Sequence, residues 1–266
     1  MYNVKKLEQM GYLNIVEVKR LSRNEETWYS EIVNASKEFV KEIGWNEENL
    51  FYYIVSLFEY VSTVYFDGTF ICSIPSLKSV EEMRQFTGDF SHLKDSYYKM
   101  YAEGKYSDII RLTDRKYKAI VYNVFYEKMD KDQRFREFIR IHKICDNSLS
   151  AIPSSRIKEL LEYGSKIFAE QRMKGKLVDN QGYITVYRGF GKTDDEIYNA
   201  IPWSTNIESI FKFSYKFGSE EAIFTGKVHI SNVAFIYDED YENEVLVIPN
   251  SVIDIRELDE IKVEYA

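Results

Sequence analysis

The sequence predicts an α+β protein in which a mostly helical N-terminal part is followed by short β-strands. Two observations favour this class. Up to about residue 175, apolar residues recur mostly at intervals of three and four, which is the spacing of one buried helix face. After Gly175 the chain changes to short β-branched or aromatic runs separated by turn residues. Helices first and strands afterwards indicate α+β rather than a doubly wound sheet.

Three helices are predicted in the first hundred residues from their start and stop signals. The first follows the polar stretch 24–26 and ends at Gly44, because glycine is common just after the last turn of a helix. The second is expected to begin at Asn46, a suitable N-cap, and to run through Tyr60. The third is expected after Ser79, which with the glutamate three residues later has the spacing of a capping box.

The later elements are predicted by the same reasoning. Two amphipathic segments lie between Asp108 and Cys145, and a longer helix is expected from about Arg156 to Met173. A short helix after Asn206 is expected among the strands. The predicted strands are 183–188, 222–230, 233–237, 245–248 and 252–258.

Charge is distributed unevenly along the 266 residues. From Arg188 to the last residue there are 16 acidic and 7 basic residues, whereas the rest of the chain is nearly neutral. Such an acidic segment repels nucleic acid and favours a cationic partner. Cys72 and Cys145 have no ligand-like spacing, so neither a metal site nor a disulfide is expected.

The sequence also bears on membrane association. The first residues are not followed by the apolar run of a secretory signal, and Glu59 and Asp67 interrupt the most apolar stretch. A run of about 20 uninterrupted apolar residues is absent, so no membrane span is expected. We therefore expect a cytoplasmic protein.

The first candidate functional residue is an arginine at the end of a predicted strand. Arg188 is followed by Gly189, whose missing side chain permits a ligand to approach the backbone closely. A guanidinium in this place is suited to bidentate hydrogen bonds with phosphate. The alternative is an ion pair with one of the acidic residues nearby.

The second candidate is the turn Ser204-Thr205, which lies where a short strand gives way to a helix. Small hydroxyl residues at such a place are typical of an N-cap, and that structural role is the alternative. A hydroxyl one position before the cap is also able to reach a neighbouring carboxylate and fix its rotamer.

The third candidate is the pair Glu242 and Glu244, directly before the apolar run 245–248. Residues i and i+2 of a strand point the same way, so the two carboxylates are predicted to lie side by side, roughly 7 Å apart along the backbone. Because Glu244 adjoins apolar residues, it should be partly buried, as functional carboxylates often are. The alternative is a solvated acidic strand end.

In their order and spacing, these three motifs resemble the signature of NAD-dependent ADP-ribosyltransferases of the Arg-Ser-Glu class, which includes toxin-like bacterial and phage members. Arg188 and Ser204 are 16 residues apart, and Ser204 and Glu244 are 40 apart. The resemblance covers about residues 183–258. It implies a core of two antiparallel sheets with NAD between them, and mono-ADP-ribosyl transfer with release of nicotinamide. On this basis we divide the chain into a helical targeting or interaction region, 1–104, and a transferase domain, 105–266.

The resemblance also implies roles for the carboxylates. Glu244 would stabilise an oxocarbenium-like transition state and hold a ribose hydroxyl. Glu242 would orient or activate the acceptor. A glutamate at this position, rather than glutamine, is similar to the pattern of arginine-modifying members, so the implied acceptor is a protein arginine.

The remaining roles concern NAD binding. Arg188, with Gly189 beside it, would bind the NAD phosphates, Ser204 would position the catalytic glutamate, and Thr205 would support the turn and the nicotinamide ribose. Asn206 departs from the family pattern, in which a second serine is frequent. An aromatic residue stacked on nicotinamide is also implied, and four candidates stay open: Phe190, Phe213, Tyr215 and Phe217.

The same residues are compatible with other functions. An NAD glycohydrolase would use the same residues with water as the acceptor. A catalytically inactive interaction protein on the same fold would use its helical part to bind a partner, although such a protein has no chemical need for Arg188, Ser204 and Glu244. A nucleic-acid acceptor is disfavoured by the acidic C-terminal segment.

Overall fold

A computed structural model describes residues 18–20, 29–55, 60–145, 152–167, 178–190, 197–211, 222–237 and 243–258. Over these ranges the protein combines helices with antiparallel sheets, so the predicted α+β class is confirmed. The chain divides into two compact units, Met1–Pro153 and Ser154–Ala266. The division therefore falls later than the expected boundary at 104/105.

The first unit contains a four-stranded antiparallel sheet and several helices in its described part. Its elements are β1 (Val18–Arg20), α1 (Ser30–Glu42), β2 (Leu50–Val55), β3 (Tyr60–Phe66), β4 (Ile71–Ile74), α2 (Val80–Met83), α3 (Thr87–Ala102), α4 (Tyr106–Leu112), α5 (Lys118–Phe125) and α6 (Lys131–Ile144). The strands are hydrogen-bonded in the order β1-β2-β3-β4. Helix α4 packs on α3 before it and on α5 after it, so a boundary at residue 104 separates helices that contact each other.

The predicted helix from Asn46 to Tyr60 is wrong. Asn46 does act as a cap, since its side chain accepts a hydrogen bond of 3.0 Å from the backbone N–H of Glu48, but it caps a single 3-10 turn. The chain then enters β2 and returns as β3. Successive residues Leu50, Phe51 and Tyr52 are all buried, so both faces of β2 are covered and the alternation that marks a strand is missing.

Other predicted helix ends agree with the structure. Helix α1 ends at Glu42, and Gly44 follows with a φ of 74°, the left-handed conformation expected of a glycine after a helix. Helix α2 begins after Ser79 as predicted, but the capping box is not formed. The Ser79 hydroxyl donates instead to the Glu81 carboxylate at 2.7 Å.

His142 on α6 is expected to make the stability of the first unit depend on pH. Burial lowers the pKa of His142 to about 4, because the charged imidazolium is poorly solvated there. Below about pH 6.5 the unfolded chain therefore binds a proton that the folded chain does not, and stability falls until the folded pKa is reached. We expect a loss of about 1–2 kcal/mol between pH 7 and pH 5 in urea titrations. The variant His142→Gln should show a smaller loss over the same interval, and an equal loss would contradict this assignment.

The second unit begins with a helix that packs on a six-stranded antiparallel sheet. Its elements are α7 (Ser154–Ile167), β5 (Tyr183–Phe190), β6 (Pro202–Ser204), β7 (Ala222–His229), β8 (Val233–Ile236), β9 (Glu244–Val247) and β10 (Val252–Glu257). The five predicted strands are thus confirmed within a residue or two. A helical segment over 207–211 follows β6, as expected after Asn206.

The described strands of this unit lie in one sheet, with the order β10-β7-β5-β6-β9-β8. The two-sheet core expected for residues 105–266 is not seen among them, because the other described sheet belongs to the first unit. One face of the six-stranded sheet carries a buried apolar cluster that includes Val186, Trp203 and Val245. Across the described ranges, every helix is too short or too polar to cross a lipid bilayer.

Candidate functional site

The sheet order brings the three motif-bearing strands together. β5 carries Arg188, β6 carries Ser204, and β9 begins with Glu244. These strands are separated along the sequence but lie side by side in the sheet, with β6 between β5 and β9. The strands pair in antiparallel fashion. Tyr187 on β5 is opposite Ser204 on β6, and Ser204 is opposite Glu244 on β9.

Ser204 on β6 and Glu244 on β9 form a directly opposed pair. The flanking backbone bond, from the Thr205 N–H to the Asn243 carbonyl at 3.0 Å, identifies them as a non-hydrogen-bonded pair. Side chains of such a pair project to the same face, with Cβ atoms about 4.5–5.5 Å apart. Ser204 is 3% exposed, and Glu244 is half-buried with its Oε1 atom shielded from solvent. The structure therefore places a hydroxyl beside a partly desolvated carboxylate.

The turn after β6 is held by local hydrogen bonds. The Ser204 hydroxyl accepts from the Asn206 N–H at 2.9 Å and donates to the Asn206 carbonyl at 3.0 Å. The Asn206 side chain in turn accepts from the Glu208 N–H at 3.0 Å, which caps the helical segment at 207–211. Capping is thus the structural role of Asn206, and the Ser204 hydroxyl is held by the backbone of Asn206 two residues later.

Arg188 lies on the neighbouring strand, but not on the same face as the carboxylate. Alternation along β5 places Arg188 with Val186 on the side of the apolar cluster, whereas Tyr187 shares the face of Ser204 and Glu244. The Arg188 guanidinium donates through Nη1 to the Pro202 carbonyl on β6, and its Nε is shielded from solvent. The guanidinium is therefore anchored at the seam between β5 and β6.

The chain just before β9 differs from the predicted alternation. Asn243 has a φ of 44°, in the left-handed region, so it is not an extended strand residue. The rule that residues i and i+2 share a face requires an extended residue between them, and it does not apply through Asn243. Glu242 lies outside the described residues, and the side-by-side placement of the two carboxylates stays a prediction.

The remaining candidates are only partly described. Gly189 and the backbone of Phe190 lie in β5, while Phe213, Tyr215 and Phe217 lie outside the described residues.

Two residues of the site were not singled out from the sequence. Tyr187 borders the Ser204–Glu244 pair on the same face, and counting alternate positions from the apolar residues of β5 would have placed it there. Asn243 carries no distinct sequence signal beyond the tolerance of asparagine for positive φ.

Within the described ranges, His, Cys, Asp and Glu side chains form no cluster of three or more able to hold a metal ion. Comparison with known proteins found no family model, curated protein or solved structure that matches this chain.

Proposed function

We propose that the second unit catalyses NAD-dependent mono-ADP-ribosyl transfer to a protein side chain, with an arginine guanidinium as the acceptor. The observation that carries the proposal is the direct pairing of Ser204 with Glu244 next to the strand that bears Arg188. Three motifs identified from their order in the sequence lie on three adjacent strands, with Ser204 and Glu244 on one face of the sheet and Arg188 on the other.

The proposed reaction needs a fixed negative charge near the ribose. The bond between C1′ and the nicotinamide nitrogen breaks, its electron pair leaves with nicotinamide, and positive charge develops at C1′. An acceptor nitrogen then bonds to C1′ and loses a proton. The half-buried carboxylate of Glu244 is suited to stabilise that charge, because its field is less screened than in water. The acidic composition of the second unit also suits a guanidinium acceptor.

Arg188 would bind a phosphate of NAD in addition to its structural contact. A guanidinium is a planar donor of several N–H groups, suited to phosphate, and here its Nη1 donates to the Pro202 carbonyl. Anchoring by that carbonyl would reduce the side-chain entropy lost on binding. Glu242 would orient the acceptor, as the sequence resemblance implies.

The decisive experiment measures nicotinamide release from NAD by the purified protein, with and without a cell lysate that supplies acceptors. Release that increases with lysate, together with label transfer from NAD to protein, is the expected result. Release without any transfer would identify a glycohydrolase. No release under either condition would refute the proposal.

Substituting Arg188 should mainly affect NAD binding. Arg188→Lys keeps the charge but loses the planar fork, and a hydrogen bond to a charged group contributes about 1.5–3 kcal/mol. We expect the Kd for NAD to rise by about 10–100-fold, measured by calorimetry. Arg256→Lys, at an exposed position on β10, is the matched control and should leave the Kd unchanged. Equal Kd values for both variants would remove Arg188 from the NAD site.

A further inference from the structure

We infer that Asn243 is a positioning residue, whose left-handed backbone, clamped by Thr205, sets where the Glu244 carboxylate lies. The catalytic consequence of this inference rests on the proposed function. Its structural basis is the φ of 44° at Asn243 together with the bonds to its carbonyl.

The conformation of Asn243 is unusual for a residue with a side chain. Within the described ranges, two other non-glycine residues have positive φ values, Asn250 and Asp254. Asn250 lies in the turn between β9 and β10, and Asp254 lies where the register of β10 shifts. Asn243 differs from both because it directly precedes a proposed catalytic residue. Asparagine enters this region more readily than β-branched residues, so the sequence is suited to the conformation.

The clamp consists of two contacts from one residue. The Thr205 N–H donates to the Asn243 carbonyl at 3.0 Å, and the Thr205 hydroxyl donates to the same oxygen at 3.4 Å. Glu244 itself is hydrogen-bonded to the residue that follows β8: its backbone carbonyl accepts a hydrogen bond from the Tyr237 N–H at 2.9 Å. The backbone of Glu244 is therefore fixed in both directions along the chain.

Fixation of this backbone matters for the proposed chemistry. A displacement of about 1 Å at a reacting centre is able to cost about 100-fold in rate. If Asn243 is forced toward an extended conformation, the start of β9 must turn and the carboxylate must move with it. Contacts of NAD with Arg188 on β5 would be unaffected, so kcat should fall by a larger factor than the KM for NAD rises.

The test compares substitutions that differ in their tolerance for positive φ. Asn243→Gly should keep kcat within about twofold, whereas Asn243→Val should lower it by about tenfold or more, with a smaller change in the KM for NAD. Thr205→Val, which loses the hydroxyl but keeps the N–H, should give an intermediate loss. Thr205→Ser should restore most of the activity.

Asn250 provides the matched control. It also has a positive φ, of 62°, but lies in a turn at the far end of β9. Asn250→Val should lower the unfolding midpoint about as much as Asn243→Val and leave kcat of the folded protein unchanged. Equal kcat losses in the two valine variants would overturn the inference, as would a loss in Asn243→Gly as large as in Asn243→Val.

The inference and the proposed function can fail separately. If the wild-type protein releases no nicotinamide, the proposed function fails, and the catalytic consequence of the clamp fails with it. In that case, the inferred left-handed backbone of Asn243 is tested by measurements of protein stability alone. A glycine variant of Asn243 that is at least as stable as Asn243→Ala supports the left-handed clamp, and a glycine variant that is less stable than alanine refutes it.

Discussion

Glu244→Gln is expected to abolish detectable nicotinamide release while the protein remains folded. The substitution keeps the shape of the side chain and removes the charge that would stabilise the oxocarbenium-like transition state. Loss of one preorganised electrostatic group in an enclosed site lowers kcat by about 100–1,000-fold. Release should be measured in steady state, with the KM for NAD determined separately, because a charge that acts in the transition state changes kcat more than KM.

The matched control is Glu257→Gln, an exposed glutamate on the edge strand β10. It should retain wild-type kcat and a wild-type unfolding midpoint. If Glu244→Gln keeps full activity, Glu244 is not the catalytic carboxylate and the proposed mechanism has no anionic centre. If both variants lose activity in parallel, the loss is a general charge effect of the acidic unit rather than a property of the site.

The second unit shows how far the sequence predicts the fold. Buried residues alternate with more exposed ones along parts of β5 and β7, and β10 follows the turn residues 249–251, so their existence and approximate bounds follow from the sequence. The prediction failed at β2, because it is buried on both faces and offers no period of two. A preceding asparagine cap then favoured a helix, although the cap serves one 3-10 turn.

For the candidate site, sequence order selects residues that lie on three neighbouring strands but does not predict how they are arranged. Ser204 lies opposite Glu244 because β6 pairs with β9. This pairing joins residues 40 apart in the sequence, and no local pattern specifies it. The left-handed Asn243 likewise lies in a tertiary contact, since its carbonyl accepts hydrogen bonds from Thr205. The face of Arg188 was predictable from the sequence. Ile184, Val186 and Arg188 are alternate residues of β5, so they share the face that packs on the apolar cluster.

Trp203→Ala should have the largest effect on stability in the second unit. Trp203 is 2% exposed within the apolar cluster, and its Nε1 donates to the Ala200 carbonyl at 3.1 Å. Removal of such a side chain leaves a cavity and costs about 3–5 kcal/mol, a large part of the total stability of a typical domain. Urea denaturation should show this loss, whereas Tyr198→Ala, at a residue 51% exposed, should change stability by less than about 0.5 kcal/mol.

The same substitution connects the core to the site. Trp203 pairs with Val245 on the buried face, one residue along from the Ser204–Glu244 pair on the opposite face. Loss of the indole should therefore loosen the ladder that holds Ser204 and Glu244 in register, and kcat should fall further than the folded fraction alone explains. Trp203→Phe, which retains an aromatic ring in the cluster, should preserve most of the activity. If Trp203→Ala unfolds the unit but leaves kcat of the remaining folded protein unchanged, the β6–β9 register does not depend on this side chain.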